Sequence, residues 1–104
     1  MLTLTDKNMA QMTENKTLVL FRADWCPFCR RFKPVFDSYE RKTTVQLAEA
    51  VINEDEDPLW DKYSIKVVPT LVAFRNGKPI ARRDGKAGIG LGRDDIDSLL
   101  KEIS

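Results

Sequence analysis

The sequence predicts an α/β fold, residues 1–104 as a single domain, with a mixed central sheet of four to five strands and helices on both faces. Strand-like and helix-spaced apolar runs alternate along the chain, the pattern of helices covering a sheet. Leu18-Val19-Leu20-Phe21 is unbroken, as in a central strand buried on both sides. Asn76-Gly77 between two strand-like runs marks a tight hairpin, which adds an antiparallel pair. With 104 residues and a 42% hydrophobic fraction, the chain can build one modest core and is too apolar for disorder.

The elements follow in order. Leu2 to Leu4 reads as a short strand. Asp6 to Glu14 reads as a first helix, with Thr5 or Asp6 as its cap. Thr17 to Arg22 is the central strand. A helix then runs from the cysteine motif to about Lys42, with Phe28, Phe32, Val35, Phe36 and Tyr39 at helical spacing. Pro34 lies inside it and is expected to kink it, because proline lacks a donor and crowds the preceding turn. Thr44 to Asn53 is a second long strand, and the acidic run Asn53 to Pro58 is a solvated turn opening a short helix, Leu59 to Tyr63. That run lacks the ligand number and the glycine turn of a calcium loop. Val67 to Phe74 reads as a strand beginning at a proline, and Lys78 to Asp84 as its hairpin partner. Pro79 places that partner near a sheet edge. Ile96, Leu99, Leu100 and Ile103 line a last helix, with Asp94 and Asp95 at its start and Lys101 at its end, as the helix dipole favours.

Composition narrows function. A formal net charge of +1 points to neither nucleic acid nor a membrane surface. The first residues are too polar for a signal peptide, and no apolar run approaches membrane-spanning length, so a soluble cytoplasmic protein is expected. The chain has no histidine, which removes cysteine–histidine and serine–histidine catalysis. Two cysteines do not close a zinc site by themselves. No metal or organic cofactor is expected, and a monomer is the default.

The two cysteines are the chemical signal. In Trp25-Cys26-Pro27-Phe28-Cys29 they lie two residues apart, between the central strand and its helix. A free cysteine, with a pKa near ~8.5, is only slightly ionised at neutral pH, and the thiolate is the nucleophile. Cys26 is expected at the helix cap with Pro27 at the first helical position. Lowering a thiol to ~7 needs about 2 kcal/mol, of which the helix dipole supplies roughly half or more. Arg22 and Arg30 are nearby cations. Cys26 is therefore the expected attacking thiol and Cys29 the resolving one, with Trp25 and Phe28 shielding the pair and offering substrate an apolar surface. An inert staple is the weaker reading, since so short a loop constrains the unfolded chain little.

Nearly the whole chain resembles thioredoxin. The resemblance rests on Phe21-Arg22-Ala23-Asp24-Trp25-Cys26, on Pro34 five residues after Cys29, on Val68-Pro69-Thr70, on Asn76-Gly77-Lys78 and on Gly85. It implies the thioredoxin fold, a cis Pro69 facing the cysteines, and a substrate strand bound by Trp25, Pro27, Phe28, Val68, Pro69 and Thr70. It also implies disulfide-containing protein substrates and a thioredoxin-reductase-like electron donor. Two alternatives stand beside it. Pro27-Phe28 looks like glutaredoxin's Pro-Tyr, and Gly88 to Asp95 echoes its glutathione-holding segment, although a loop capping the last helix is the plainer reading. The other alternative is a non-catalytic redox-sensing interaction module.

The chain also departs from the thioredoxin pattern. Leu20 stands where the family carries a buried aspartate, thought to help deprotonate the resolving thiol. The aspartate's partner lysine is expected at Ala50 or Val51, and a family tryptophan is Arg22. Arg30-Arg31 and Arg82-Arg83 read as solvated charges.

Overall fold

The computed structural model describes residues 1–104. Five strands form one sheet: β1 (Leu2–Thr3), β2 (Thr17–Arg22), β3 (Gln46–Val51), β4 (Thr70–Arg75) and β5 (Lys78–Asp84). Their spatial order is β1-β3-β2-β4-β5. β3 runs parallel to both β1 and β2, whereas β4 is antiparallel to β2 and β5. The helices are α1 (Met9–Met12), α2 (Pro27–Asp37), α3 (Pro58–Lys62) and α4 (Arg93–Glu102).

The unbroken apolar run of β2 has the predicted consequence: Leu18, Val19, Leu20 and Phe21 are all fully buried. Side chains alternate across a strand, so they divide between two cores. Val19 and Phe21 pack with Leu4, Met9, Ile52, Leu59 and Phe74. Leu18 and Leu20 pack with Phe32, Phe36, Leu71, Ile96 and Leu99. Thus α1 and α3 cover one face, and α2 and α4 the other. The first core also holds an aromatic cluster, with Tyr63 edge-on to Phe74 at 5.2 Å between centroids.

The structure moves several boundaries. The first helix is only Met9–Met12, and its cap is Asn8 rather than Thr5 or Asp6. Thr5 opens a preceding turn instead, its N–H donating to Asn8 Oδ1 at 2.7 Å. The helix stops early because the Thr13 hydroxyl donates back to the Met9 carbonyl, while the Thr13 and Glu14 carbonyls accept from Gly77 and Asn76 in the β4–β5 turn. The second helix ends at Asp37 and tightens into a 3₁₀ turn, Ser38–Arg41, and Pro34 is accommodated inside it. β3 is shorter than Thr44–Asn53, because Asn53 turns away to bond the loop before the cysteines. β4 begins at Thr70, not Val67. Pro69 has no donor for a ladder, and the Thr70 hydroxyl folds the segment back by donating to the Val67 carbonyl. β5 matches its expected range and lies at the edge, with Pro79 beside a register irregularity.

Arg30 and Arg31 are exposed as expected, but Arg82 and Arg83 are not simply solvated. Arg82 donates to the Tyr63 and Ser64 carbonyls behind α3, and Arg83 pairs with Glu102 of α4 at 2.7 Å. They tie the edge strand to a helix on each face.

Candidate active site

β2 ends at Arg22, and the chain crosses Ala23, Asp24 and Trp25 to reach Cys26, the N-cap of α2. Asn53, just beyond β3, holds this crossing. Its side-chain oxygen accepts from the Asp24 N–H at 2.7 Å, its amide donates to Asp24 Oδ2 at 2.9 Å, and its carbonyl accepts from the Trp25 indole at 3.0 Å. The entry to α2 is thereby tied to the end of the neighbouring strand. Pro27 then starts the helix where no donor is needed.

Both thiols are free and buried, Cys26 at 4% and Cys29 at 1% residual exposure. The Cys26 sulfur accepts the Cys29 N–H at 3.2 Å, one of the unpaired donors of the helix start. The Cys26 thiol also lies 3.4 Å from the Val68 carbonyl, to which it donates. The Val68–Pro69 peptide is cis, as the resemblance implies. Gly85 closes that side: its N–H donates to the Pro69 carbonyl at 2.9 Å, and a Cβ there would sit 2.5 Å from the same oxygen.

The two sulfurs share a small cluster with Ala23, covered by Phe28 and Val68. Trp25 is not part of that cover; it stands 56% exposed beside the site, pinned by its indole bond to Asn53. Phe28 is flanked by Arg31, 5.3 Å from its ring, and by Gly90, where an added Cβ would come within 3.0 Å of Phe28. Thr70 is fully buried, so its side chain shapes the turn rather than offering a surface. The exposed apolar groups at this end of the sheet are Trp25 and Val67, and Ile89 projects from the adjoining loop.

That loop was legible only in part. As expected it caps the last helix, with the Gly92 N–H donating to Asp95 Oδ2 at 2.8 Å. The contact of Gly90 with Phe28 was not foreseen, because a glycine in a loop leaves no pattern that names its neighbour. One Asp95 carboxylate oxygen is engaged in the cap.

A second feature escaped the sequence. Leu20 lies abreast of Glu49, not of Ala50 or Val51, and Ala50 faces the opposite core. Glu49 Oε2 accepts from Arg22 Nε at 2.9 Å and lies 3.3 Å from Lys33 Nζ on α2. Arg22 Nη1 donates to Asp24 at 2.8 Å, and Lys33 pairs with Asp37 at 3.0 Å. The result is a chain of alternating charges beneath α2. Its signal in the sequence is a lone glutamate within Ala48-Glu49-Ala50, on a strand otherwise built for burial. Burial by itself raises the Glu49 carboxyl, but the hydrogen bond and charge of Arg22, with Lys33, outweigh it and hold the group below the usual carboxylate range.

Two buried thiols at a helix start, faced by a proline turn on a mixed five-stranded sheet, define a thioredoxin-fold protein. The thioredoxin family model matches residues 1–101, and the chain belongs to that family. It is 33% identical over 87 residues to the thioredoxin of Alicyclobacillus acidocaldarius, covering 81% of this chain and 83% of that protein. Against the thioredoxin of Chlamydia caviae it is 31% identical over 87 residues, covering 84% and 78%. Among solved structures, Chlamydomonas reinhardtii thioredoxin f2 superposes with a TM-score of 0.85 at 23% identity, covering 100% of this chain and 96% of that one. A thioredoxin f2 solved in complex with ferredoxin:thioredoxin reductase gives a TM-score of 0.84 at 15% identity, covering 98% and 93%. As a family member, the chain is a protein-disulfide oxidoreductase.

Proposed function

We propose that this protein reduces disulfides of other proteins through the Cys26–Cys29 dithiol. The observation that carries the reading is the placement of Cys26: a helix N-cap whose sulfur accepts the Cys29 N–H and faces the Val68 carbonyl. Cys26 attacks a substrate disulfide and forms a mixed disulfide, and one substrate sulfur leaves as thiolate. Cys29, three residues on in the same helix, attacks Cys26 and releases the second substrate sulfur. The protein is oxidised by two electrons and the substrate is reduced by two.

Substrate lies along Val68 and Pro69, against Pro27, Phe28 and the exposed face of Trp25, with Thr70 holding the turn from within. The oxidised protein is returned to the dithiol by a reductase. The related thioredoxin f2 found with ferredoxin:thioredoxin reductase supports a donor of that kind. We place the protein in the cytoplasm as a single-domain monomer that needs no bound cofactor; no helix is long and apolar enough to cross a membrane.

The test is trapping. Cys29→Ser is expected to accumulate a one-to-one mixed disulfide with a protein substrate, and Cys26→Ser to abolish turnover. Full turnover by Cys26→Ser would refute the assignment. The reduction potential sharpens it: a value near about −270 mV fits a reductase, whereas about −200 mV fits a glutathione-coupled enzyme.

A further inference from the structure

We propose that Arg22, clamped by Glu49 and Asp24 beneath the active-site helix, is the positioning residue for the second half of the reaction, its fixed positive charge stabilising the Cys29 thiolate. The inference rests on the assignment of Cys26 and Cys29 as the redox pair.

The problem it answers is set by burial. Cys29 is almost wholly enclosed, yet it must lose its proton to resolve the mixed disulfide. Enclosure, with the hydrogen bond to Cys26 and that sulfur's charge, pushes the thiol up to about 12; a backbone hydrogen bond at Ala23 and the charge of Arg22 pull the other way. Once Cys26 is bound in a mixed disulfide its own charge is gone, and Arg22 remains.

The geometry places that charge. Cys29 packs against Ala23, the residue that follows Arg22. Cys29 and Lys33 are four apart in α2 and so lie on one face of the helix. Glu49 Oε2 lies between Lys33 Nζ and Arg22 Nε, at 3.3 and 2.9 Å. The guanidinium is held by carboxylates on two sides, and its side chain is only 15% exposed. Leu20, abreast of Glu49, brings no acid of its own. Glu49 is a poor proton acceptor, because Arg22 and Lys33 already stabilise its charged form. It orients Arg22 and partly cancels its field. The charges that act on Cys29 are those of Cys26 at its helix cap and of Arg22, on the β2 face that lies under α2; Arg22 is itself paired with Glu49 of β3 and with Asp24, and Lys33 of α2 pairs with the same Glu49. The turn from Val67 to Thr70 contains no ionisable side chain.

The experiment is rapid mixing of the reduced protein with dithionitrobenzoate. Attack by Cys26 breaks the reagent's S–S bond and releases one thionitrobenzoate. Attack by Cys29 on Cys26 Sγ closes the protein disulfide and releases the second, the Cys29 proton passing to solvent. Arg22→Met is expected to displace the pH profile of the second phase upward by about one unit, the low end of the range for a neighbouring opposite charge. At neutral pH the second phase then slows only about threefold relative to the first, because a tenfold smaller thiolate fraction is offset by the stronger nucleophilicity of a more basic thiol. Arg22→Lys, which keeps the charge, restores most of the effect. Glu49→Gln shifts the profile to lower pH. An unmoved second-phase profile in Arg22→Met, failure of Arg22→Lys to restore it, or a slowed second phase in Glu49→Gln would each overturn the proposal. The cysteine assignment fails separately, by a first phase that persists in Cys26→Ser.

Discussion

The two faces of the sheet solve the same burial problem differently. Beneath α1 and α3 the core is apolar, with Val19, Phe21, Ala48, Ala50, Ile52, Val72 and Phe74 meeting Leu4, Met9, Leu59 and Ile65, and its buried polar side chains, Thr13 and Thr17, are uncharged. Beneath α2 and α4 an equally apolar cluster gives way, at the end near the cysteines, to the Arg22–Glu49–Lys33 network. A charge is costly to enclose unless it is paired, and here every member is paired. The apolar face supplies rigidity, while the mixed face brings fixed charge to a buried thiol without leaving a polar atom unsatisfied. The network lies where β2 and β3 run out of the core, so water still reaches its outer members: Asp24 is 67% exposed, against 12% for Glu49.

Three substitutions or conditions would break or sharpen this contrast. The largest effect is expected from Leu20→Asp, which places an acid where the family carries one. In this chain the neighbour is Glu49, so the new carboxyl meets a like charge and loses the leucine's packing. Loss of the packing alone costs about 2 to 5 kcal/mol, and an unpaired buried carboxyl adds to that, a large fraction of the stability of a small domain. Urea unfolding measures it; a variant as stable as the parent would show that the network rearranges to accept a second acid. On the apolar face, Phe74→Ala is expected to cost about 3 to 5 kcal/mol by the same measurement, because the cavity opens against Phe21 and Tyr63. A loss below about 1 kcal/mol would mean that face collapses freely around a cavity.

The smallest effect is pH-dependent. Glu49 has a folded pKa below its unfolded value of about 4.3. Its contribution is therefore complete above that value and is lost as pH falls through the lower folded one. Asp24, also lowered, acts with the same sign. The difference in acid unfolding between the parent and Glu49→Gln isolates Glu49: the parent should lose more stability on acidification. Parallel acid curves would show that the pair contributes nothing net.

Much of this was legible in the residues, and each part had a local cause. The unbroken run in β2 marked a two-sided strand, Asn76-Gly77 marked the hairpin, and Cys26-Pro27 marked a helix start. These are decided by side-chain period, by backbone freedom and by a missing donor, all properties of neighbours in the chain. What needed the tertiary structure was every relation across strands. The register that sets Glu49 beside Leu20, the Asn53 clasp on Trp25, the burial of Thr70 and the reach of Gly90 to Phe28 depend on how separate segments align. The family resemblance put the partner of Leu20 at Ala50 or Val51, one or two residues beyond Glu49; the error matters because a shift of one residue in a strand carries a side chain to the opposite face. The sequence by itself determined the fold class and where the two thiols stand in it. Packing of β2, β3 and α2 against one another decided which charges lie under them.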